Sequence, residues 1–271
     1  MSNDPQVMRR PVTRVTGRSR EPFDDALAVE RPMEIRLDGQ AVSVTLRTPG
    51  HDRELAIGFL AGERVVASAT DVIGVREQQA GCSDAPDVID LLLKPGHVLD
   101  WSKLERHFTA TAACGLCGRA HLDAMRAGLT PVPAGPPLDV AALLALPARV
   151  RTQQTAFEAT GGLHAAVWCD AALEPRVLRE DVGRHNAVDK VCGWLMDQGR
   201  RPLGEGLLWV SGRAGAELVL KAARAGIPAM ASVGAPSSLA VELAEAAGMT
   251  LVGFLREGRM NVYCGEERLK D

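Results

Sequence analysis

Two cysteines, Cys114 and Cys117, stand two residues apart in AACGLCGRA, with Gly115 and Gly118 letting the backbone turn tightly around them. Such a pair supports three chemistries. A structural zinc site needs four ligands, and the chain has neither a second close cysteine pair nor a His-x-x-x-His to complete one. A dithiol oxidoreductase places the pair at the start of a helix, whose dipole lowers the first thiol's pKa; RAHLDAMRAG can form that helix, but the βα context is missing. In nucleophilic sulfur chemistry one thiolate holds sulfur as a persulfide while the second thiol assists transfer or protects it. The bland alternative is an incidental buried pair, against which the bracketing glycines argue. A zinc-dependent nucleobase deaminase requires His-x-Glu and a proline before the first cysteine; no histidine here has Glu two residues on, and Ala113 precedes Cys114. No metal site is expected.

Four segments have the residue types to hold an anion. EDVGRHNAVDK, 180–190, passes through Gly183 into a helix and concentrates Asp181, Arg184, His185, Asn186, Asp189 and Lys190 at its start. A helix N-terminus flanked by Arg and His is a ready anion site. The plain alternative is an N-cap at Asp181 with a solvated charged face behind it. SGRAGAE, beginning at Ser211, follows the apolar run LLWV, where an open α/β sheet places ligands, so Ser211 and Arg213 are candidates; a helix cap is the alternative. FLREGRMNVY carries Arg256 and Arg259 around Gly258, offering guanidinium groups and backbone amides, as an ordinary exposed hairpin also would. His164 follows Gly161-Gly162 into a strand and either lines a cleft or is a satisfied, half-buried histidine. Neither G-x-G-x-x-G nor G-x-x-x-x-G-K-[ST] occurs, which disfavours nicotinamide dehydrogenases and P-loop nucleotidases.

These residues need elements to position them. Residues 1–20 lack periodicity and read as a mobile tail. MEIRLDGQAVSVTLRT alternates about Asp38-Gly39 as a β-hairpin, 54–67 has helical spacing, and VIDLLL at 88–93 reads as a strand. The region 21–112 is therefore α+β. Residues 113–137 hold the cysteine loop and the Pro-rich PVPAGPP linker. In 138–271 a helix near 139–146, strands at 163–169 and 176–179 and a helix bearing Val188, Val191 and Leu195 come first. Then LLWV, a helix over 215–225, PAMASV, a helix over 238–247 and TLVGFL alternate. That alternation implies α/β architecture with a mostly parallel sheet and right-handed crossovers.

At 271 residues and 46% hydrophobic content the chain buries a sizeable core, and its net charge of -3 gives no global field for nucleic acid. No apolar run reaches the roughly 18 residues of a membrane span, and no hydrophobic stretch follows the basic start. The expected location is the cytoplasm. In that reducing compartment the scattered Cys82, Cys169, Cys192 and Cys264 read as small buried hydrophobes.

Taken in order, CGLCG, GGLHAA, EDVGRHNAVDK, SGRAGAELV, APSSLAVELA and LVGFLREGRMNVY resemble the FdhD/NarQ family of formate dehydrogenase accessory sulfurtransferases over most of the chain. The resemblance implies an enzyme that takes sulfur from a cysteine desulfurase as a persulfide. It would pass that sulfur to the bis-molybdopterin guanine dinucleotide molybdenum cofactor before insertion into formate dehydrogenase. Cys114 would then be the carrier and Cys117 its partner. Phe254, Leu255, Arg256, Glu257, Gly258 and Arg259 would bind the cofactor, with the guanine nucleotide portions as the anion. The resemblance also implies a cytidine-deaminase-like three-layer domain and a homodimer. The rival is a non-catalytic chaperone that binds and protects the molybdenum cofactor, using the cysteines as transient metal ligands; a zinc-bound structural module is a second rival.

Overall fold

The computed structural model describes residues 4–80, 85–97, 129–199 and 204–271. Cys82, Cys114 and Cys117 lie outside these residues.

The chain opens with a regular hairpin, β1 (Val7–Thr16) and β2 (Ser19–Ala28), paired from Val7↔Ala28 to Thr16↔Ser19. This corrects the tail expected over residues 1–20. The periodicity signal is absent because both faces of the hairpin stay largely exposed, so no apolar alternation is required of it.

The next unit is α+β, as expected. β3 (Arg31–Leu37) and β4 (Gln40–Arg47) turn at Asp38-Gly39, both with positive φ, the conformation a two-residue hairpin loop requires. With β5 (Val72–Gln78) and β6 (Asp87–Leu93) they form a sheet of order β4-β3-β6-β5. Met33, Ile35, Leu37, Ile89 and Leu91 bury one face against Leu55, Ile57 and Leu60 of α1 (Asp52–Gly62). This helix stops short of Ala67 because Arg64 turns left-handed at φ 61 and the Val65 amide closes on the Leu60 carbonyl at 2.8 Å.

The second unit opens on a short β7 (Leu138–Asp139) and has three layers. Its sheet has the order β13-β12-β11-β10-β8-β9, built from β8 (His164–Cys169), β9 (Pro175–Asp181), β10 (Leu207–Val210), β11 (Ala229–Ser232), β12 (Thr250–Arg256) and β13 (Arg259–Cys264). The pairings β10–β11 and β11–β12 are parallel, whereas β8–β9, β8–β10 and β12–β13 are antiparallel. The sheet is mixed, which corrects the mostly parallel sheet expected. The turns after Cys169 and Arg256 are too short for a crossover and return the chain beside itself.

One sheet face packs Trp168, Leu208, Val210 and Met230 against α4 (Arg184–Asp197), α5 (Ala216–Arg224) and α6 (Ser238–Ala247). The other packs Val167, Trp209, Ala231 and Val252 against Leu143, Leu146 and Val150 of α2 (Val140–Arg151). This helix runs through Pro147, one turn past the expected end, because burying Val150 outweighs the lost hydrogen bond. A short α3 (Thr155–Thr160) precedes β8. The Pro-rich segment is docked rather than free: Val132 is buried and its amide donates to the Ala247 carbonyl at 2.9 Å.

The α1–α4 crossing and the buried pair beside it lock the units together. Helices α1 and α4 cross where neither backbone leaves room for a methyl: a Cβ on Gly58 would sit 1.8 Å from the Asp189 carbonyl oxygen, and one on Gly193 1.8 Å from that of Glu54. Beside this crossing Lys190 Nζ lies 2.7 Å from Asp181 Oδ2, both side chains fully buried. Thr48 completes the joint. Its amide donates to Asp181 Oδ2, its hydroxyl accepts from the Val182 amide, and its carbonyl accepts from Lys190 at 2.8 Å.

Candidate functional site

The carboxyl ends of β10, β11 and β12 open into loops that lie side by side, the place where an α/β sheet binds ligands. Ser211 continues β10 past its end: its amide donates to the Ala165 carbonyl at 3.0 Å and its hydroxyl accepts from the Ala165 amide at 2.9 Å. That fixes the start of β8, so His164 stands next to the loop. A Cβ on Gly212 would sit 3.5 Å from His164 Nδ1. The Gly234 amide donates to the Gly212 carbonyl at 2.9 Å, and a Cβ on Gly234 would come within 2.9 Å of Arg213 Cγ. On its other side the Gly234 carbonyl accepts from the Phe254 amide at 3.1 Å. His164, Ser211, Arg213 and Phe254 thus form one row, spaced by Gly212 and Gly234.

Phe254 is the unusual member. A bulky residue at φ 52 is strained, yet Phe254 is 42% exposed while the next residue, Leu255, is fully buried in the core. Gly253 explains how the strand tolerates this, since a side chain there would strike Pro236 at 2.7 Å and Tyr263 at 2.9 Å. The geometry presents an aromatic face to solvent at the end of the sheet. Arg256, Glu257, Gly258 and Arg259 continue past it as the exposed tip of the β12–β13 hairpin, with Arg256 paired opposite Arg259 and Gly258 at φ 75.

Two helices start at the same edge. Gly183 and Gly215 precede α4 and α5, and among the described residues neither start carries a side-chain cap, so the first amides of both are open to an anion. His185 on α4 joins Glu217 on α5 at 2.9 Å, which ties the two first turns together. The His185 hydrogen bond holds the Glu217 carboxyl below the usual range. Burial, then the charges of Arg184 and His185, hold His164 below its ordinary value. At neutral pH His164 is therefore an uncharged ring within a positive field.

The remaining candidates of EDVGRHNAVDK face inward. The Asn186 amide donates to the Leu46 carbonyl at 2.8 Å and to Asp181 at 3.0 Å, holding α4 against β4. Asp189 receives Lys221 at 2.7 and 2.9 Å. Asp181 is no helix cap but the buried partner of Lys190. Half of the motif's polar density thus builds the joint, and Arg184 and His185 are what it presents at the edge. Gly234 and Glu217 belong to the site without having been singled out as ligands. The signals for them were GAP directly after PAMASV, and a Glu in the first turn of the helix behind SGRAG.

The described cysteines are poor nucleophiles. Burial pushes the Cys169 and Cys192 thiols up to about 12, and raises Cys264 as well. Among the described residues no group of three His, Cys, Asp or Glu is arranged to hold a metal, and no helix is long and apolar enough to cross a membrane.

The model of the FdhD/NarQ family matches residues 28–270. The "Sulfur carrier protein FdhD" of Mycolicibacterium paratuberculosis is 48% identical over 267 residues, covering 96% of this chain and 98% of its own. The protein of the same name from Nocardia farcinica is 49% identical over 270 residues, covering 97% and 94%. The crystal structure of a candidate formate dehydrogenase accessory protein from Desulfotalea psychrophila superposes with a TM-score of 0.77 at 25% identity, over 98% of this chain and 100% of that one.

Proposed function

This chain belongs to the FdhD/NarQ family, and we propose that it is a sulfurtransferase of formate dehydrogenase maturation that carries sulfur on Cys114 and delivers it to a bound molybdenum cofactor. The observation that carries the second half is the convergence of two uncapped helix starts with Arg184, Arg213 and the exposed Phe254 ring on one sheet edge. Uncapped amides and guanidinium groups suit a diphosphate, and a solvent-facing ring suits a purine. The bis-molybdopterin guanine dinucleotide cofactor, as substrate, offers both. The second unit's three layers support reading it as cytidine-deaminase-like.

The first half rests on CGLCG. The Cys114 thiolate attacks the outer sulfur of a cysteine desulfurase persulfide; a new S–S bond forms on Cys114 and the donor cysteine leaves as a thiolate. In delivery the Cys117 thiol attacks the Cys114 sulfur. A Cys114–Cys117 disulfide forms, and the outer sulfur leaves as hydrosulfide with the bond's electron pair, so the two cysteines supply the two electrons needed to release sulfide. The raised pKa values of Cys169, Cys192 and Cys264 support assigning this work to the close pair. Delivery to formate dehydrogenase and a cytoplasmic location complete the reading, together with self-association as a homodimer.

The test is direct. Reduced protein incubated with a cysteine desulfurase and cysteine should gain the mass of one sulfur atom on Cys114, and the Cys114→Ala variant should not. In parallel, guanosine diphosphate should bind the wild type and Cys114→Ala equally and bind Arg213→Ala more weakly. Sulfur loading absent from the wild type, with nucleotide binding intact, would replace the enzyme with the cofactor chaperone.

A further inference from the structure

The β1–β2 hairpin plays no part in either core. Its strands are ten residues each, about 30 Å at the usual rise, and they form a two-stranded sheet of their own. Among the described residues it is held at its root and where its strands pass α3. The Val29 amide donates to the Gln6 carbonyl at 2.9 Å, and Ala28 lies against the glycines after α3, 3.4 Å from where a Gly162 Cβ would stand. From Met8 to Thr16 every residue of β1 is exposed. A two-stranded hairpin is at best marginally stable by itself in water, so an arm of this length calls for a partner surface.

Its chemistry indicates which. The register puts Met8, Leu27, Val12 and Phe23 on one face, interleaved with the cross-strand pairs Arg10/Asp25 and Arg14/Glu21, and Arg14 lies over the Phe23 ring. Met8 and Val12, with Val15 on the opposite face, are 49%, 36% and 58% exposed. Between Val7 and Arg20 there are five arginines, Arg9, Arg10, Arg14, Arg18 and Arg20, and no acidic residue. The whole hairpin, residues 7–28, carries these five arginines against Glu21, Asp24 and Asp25, and the rest of the chain holds 26 basic against 31 acidic residues, so a net-positive arm meets a net-negative body. Glu245, Glu266 and Glu267 are exposed and make no ion pair among the described residues. They show such an acidic surface on the body. The hairpin's 22 residues also match the roughly 20–30 residues per side of an ordinary stable interface.

We propose that the hairpin is a dimerisation arm that lays its apolar, arginine-rich surface on the acidic body of a second copy of this chain, each copy gripping the other in an isologous exchange. This names the surface for the self-association proposed above and rests on that reading. The arm precedes almost all of the span matched by the family model, which begins at residue 28.

Sedimentation velocity on the full chain over a concentration series tests it. The wild type should pass from 28.8 kDa to twice that mass, with a dissociation constant that rises with salt. A triple variant, Arg9→Glu, Arg18→Glu and Arg20→Glu, should raise that constant by about tenfold or more. The double variant Val12→Ser, Val15→Ser keeps the charge and should also weaken the dimer. All five residues are exposed, so the circular dichroism melt should match the wild type. A dimer that tolerates both variants overturns the arm and leaves self-association to another surface. A wild type that stays monomeric overturns self-association itself.

Discussion

Replacing Lys190 by Met removes the cation that offsets Asp181 at the joint between the units. The two charges are 2.7 Å apart with no exposed surface, a gross attraction of about 6 kcal/mol at an effective dielectric of about 20. Most of it offsets desolvation, so the pair shows its strength only when one partner is removed. Breaking a buried pair from one side costs about 3–5 kcal/mol. Asp181 keeps hydrogen bonds from the Thr48 amide, the Gly183 amide and Asn186, which places the expected loss near the lower end, about 3 kcal/mol. Urea denaturation of the wild type, Lys190→Met, Asp181→Asn and the double variant measures it. The double variant should be more stable than Lys190→Met alone, with a coupling of about 2 kcal/mol. A Lys190→Met loss under about 0.5 kcal/mol, the range of an ordinary surface change, or an additive cycle, would refute the joint as described.

Gly193→Ala drives a methyl to within 1.8 Å of the Glu54 carbonyl oxygen; a loss of about 3 kcal/mol or failure to accumulate as folded protein is expected, whereas Gly199→Ala, with no described atom within 4 Å but at φ 63, should cost only about 1 kcal/mol by the same denaturation assay. For His164 the sign follows from its depressed pKa: the unfolded chain protonates first, so the stability this ring contributes is whole above pH 6.5 and is lost as pH falls through its folded value. His164→Gln should flatten that part of the profile of urea midpoint against pH, and a profile unchanged from the wild type would contradict it. Phe254→Gly exchanges a strained left-handed residue for one that accepts the conformation, so stability should stay within about 1 kcal/mol while guanosine diphosphate binding, followed by calorimetry, weakens about tenfold.

The last third was legible because its central strands are mostly apolar and its helices are followed by glycine: LLWV, PAMASV and TLVGFL lie where β10, β11 and β12 do, Gly226 follows α5, and Gly248 closes α6 at φ 68. Strand direction was not legible, because an apolar run reads the same either way and only the short connection after Cys169 turns β9 back along β8. The hairpin of residues 7–28 escaped notice because alternation appears only where one face meets a core. At the site the ligand-facing and structural roles of EDVGRHNAVDK could not be separated, since Asp181 and Lys190 are polar in sequence whether they face solvent or each other. The structure sorts them by burial.

A protein with the sulfur-carrying role proposed above must also decline to lose its sulfur. At a pKa of about 12 a thiol is ionised in only about one molecule in 10^5 at neutral pH, so Cys169 and Cys192 are kinetically silent toward a persulfide. On the role proposed above, these two thiols are withdrawn from side reactions by the same apolar packing that builds the sheet. On that proposal fidelity of transfer becomes a by-product of folding: opening the core around Cys192 would offer the sulfur a competing acceptor.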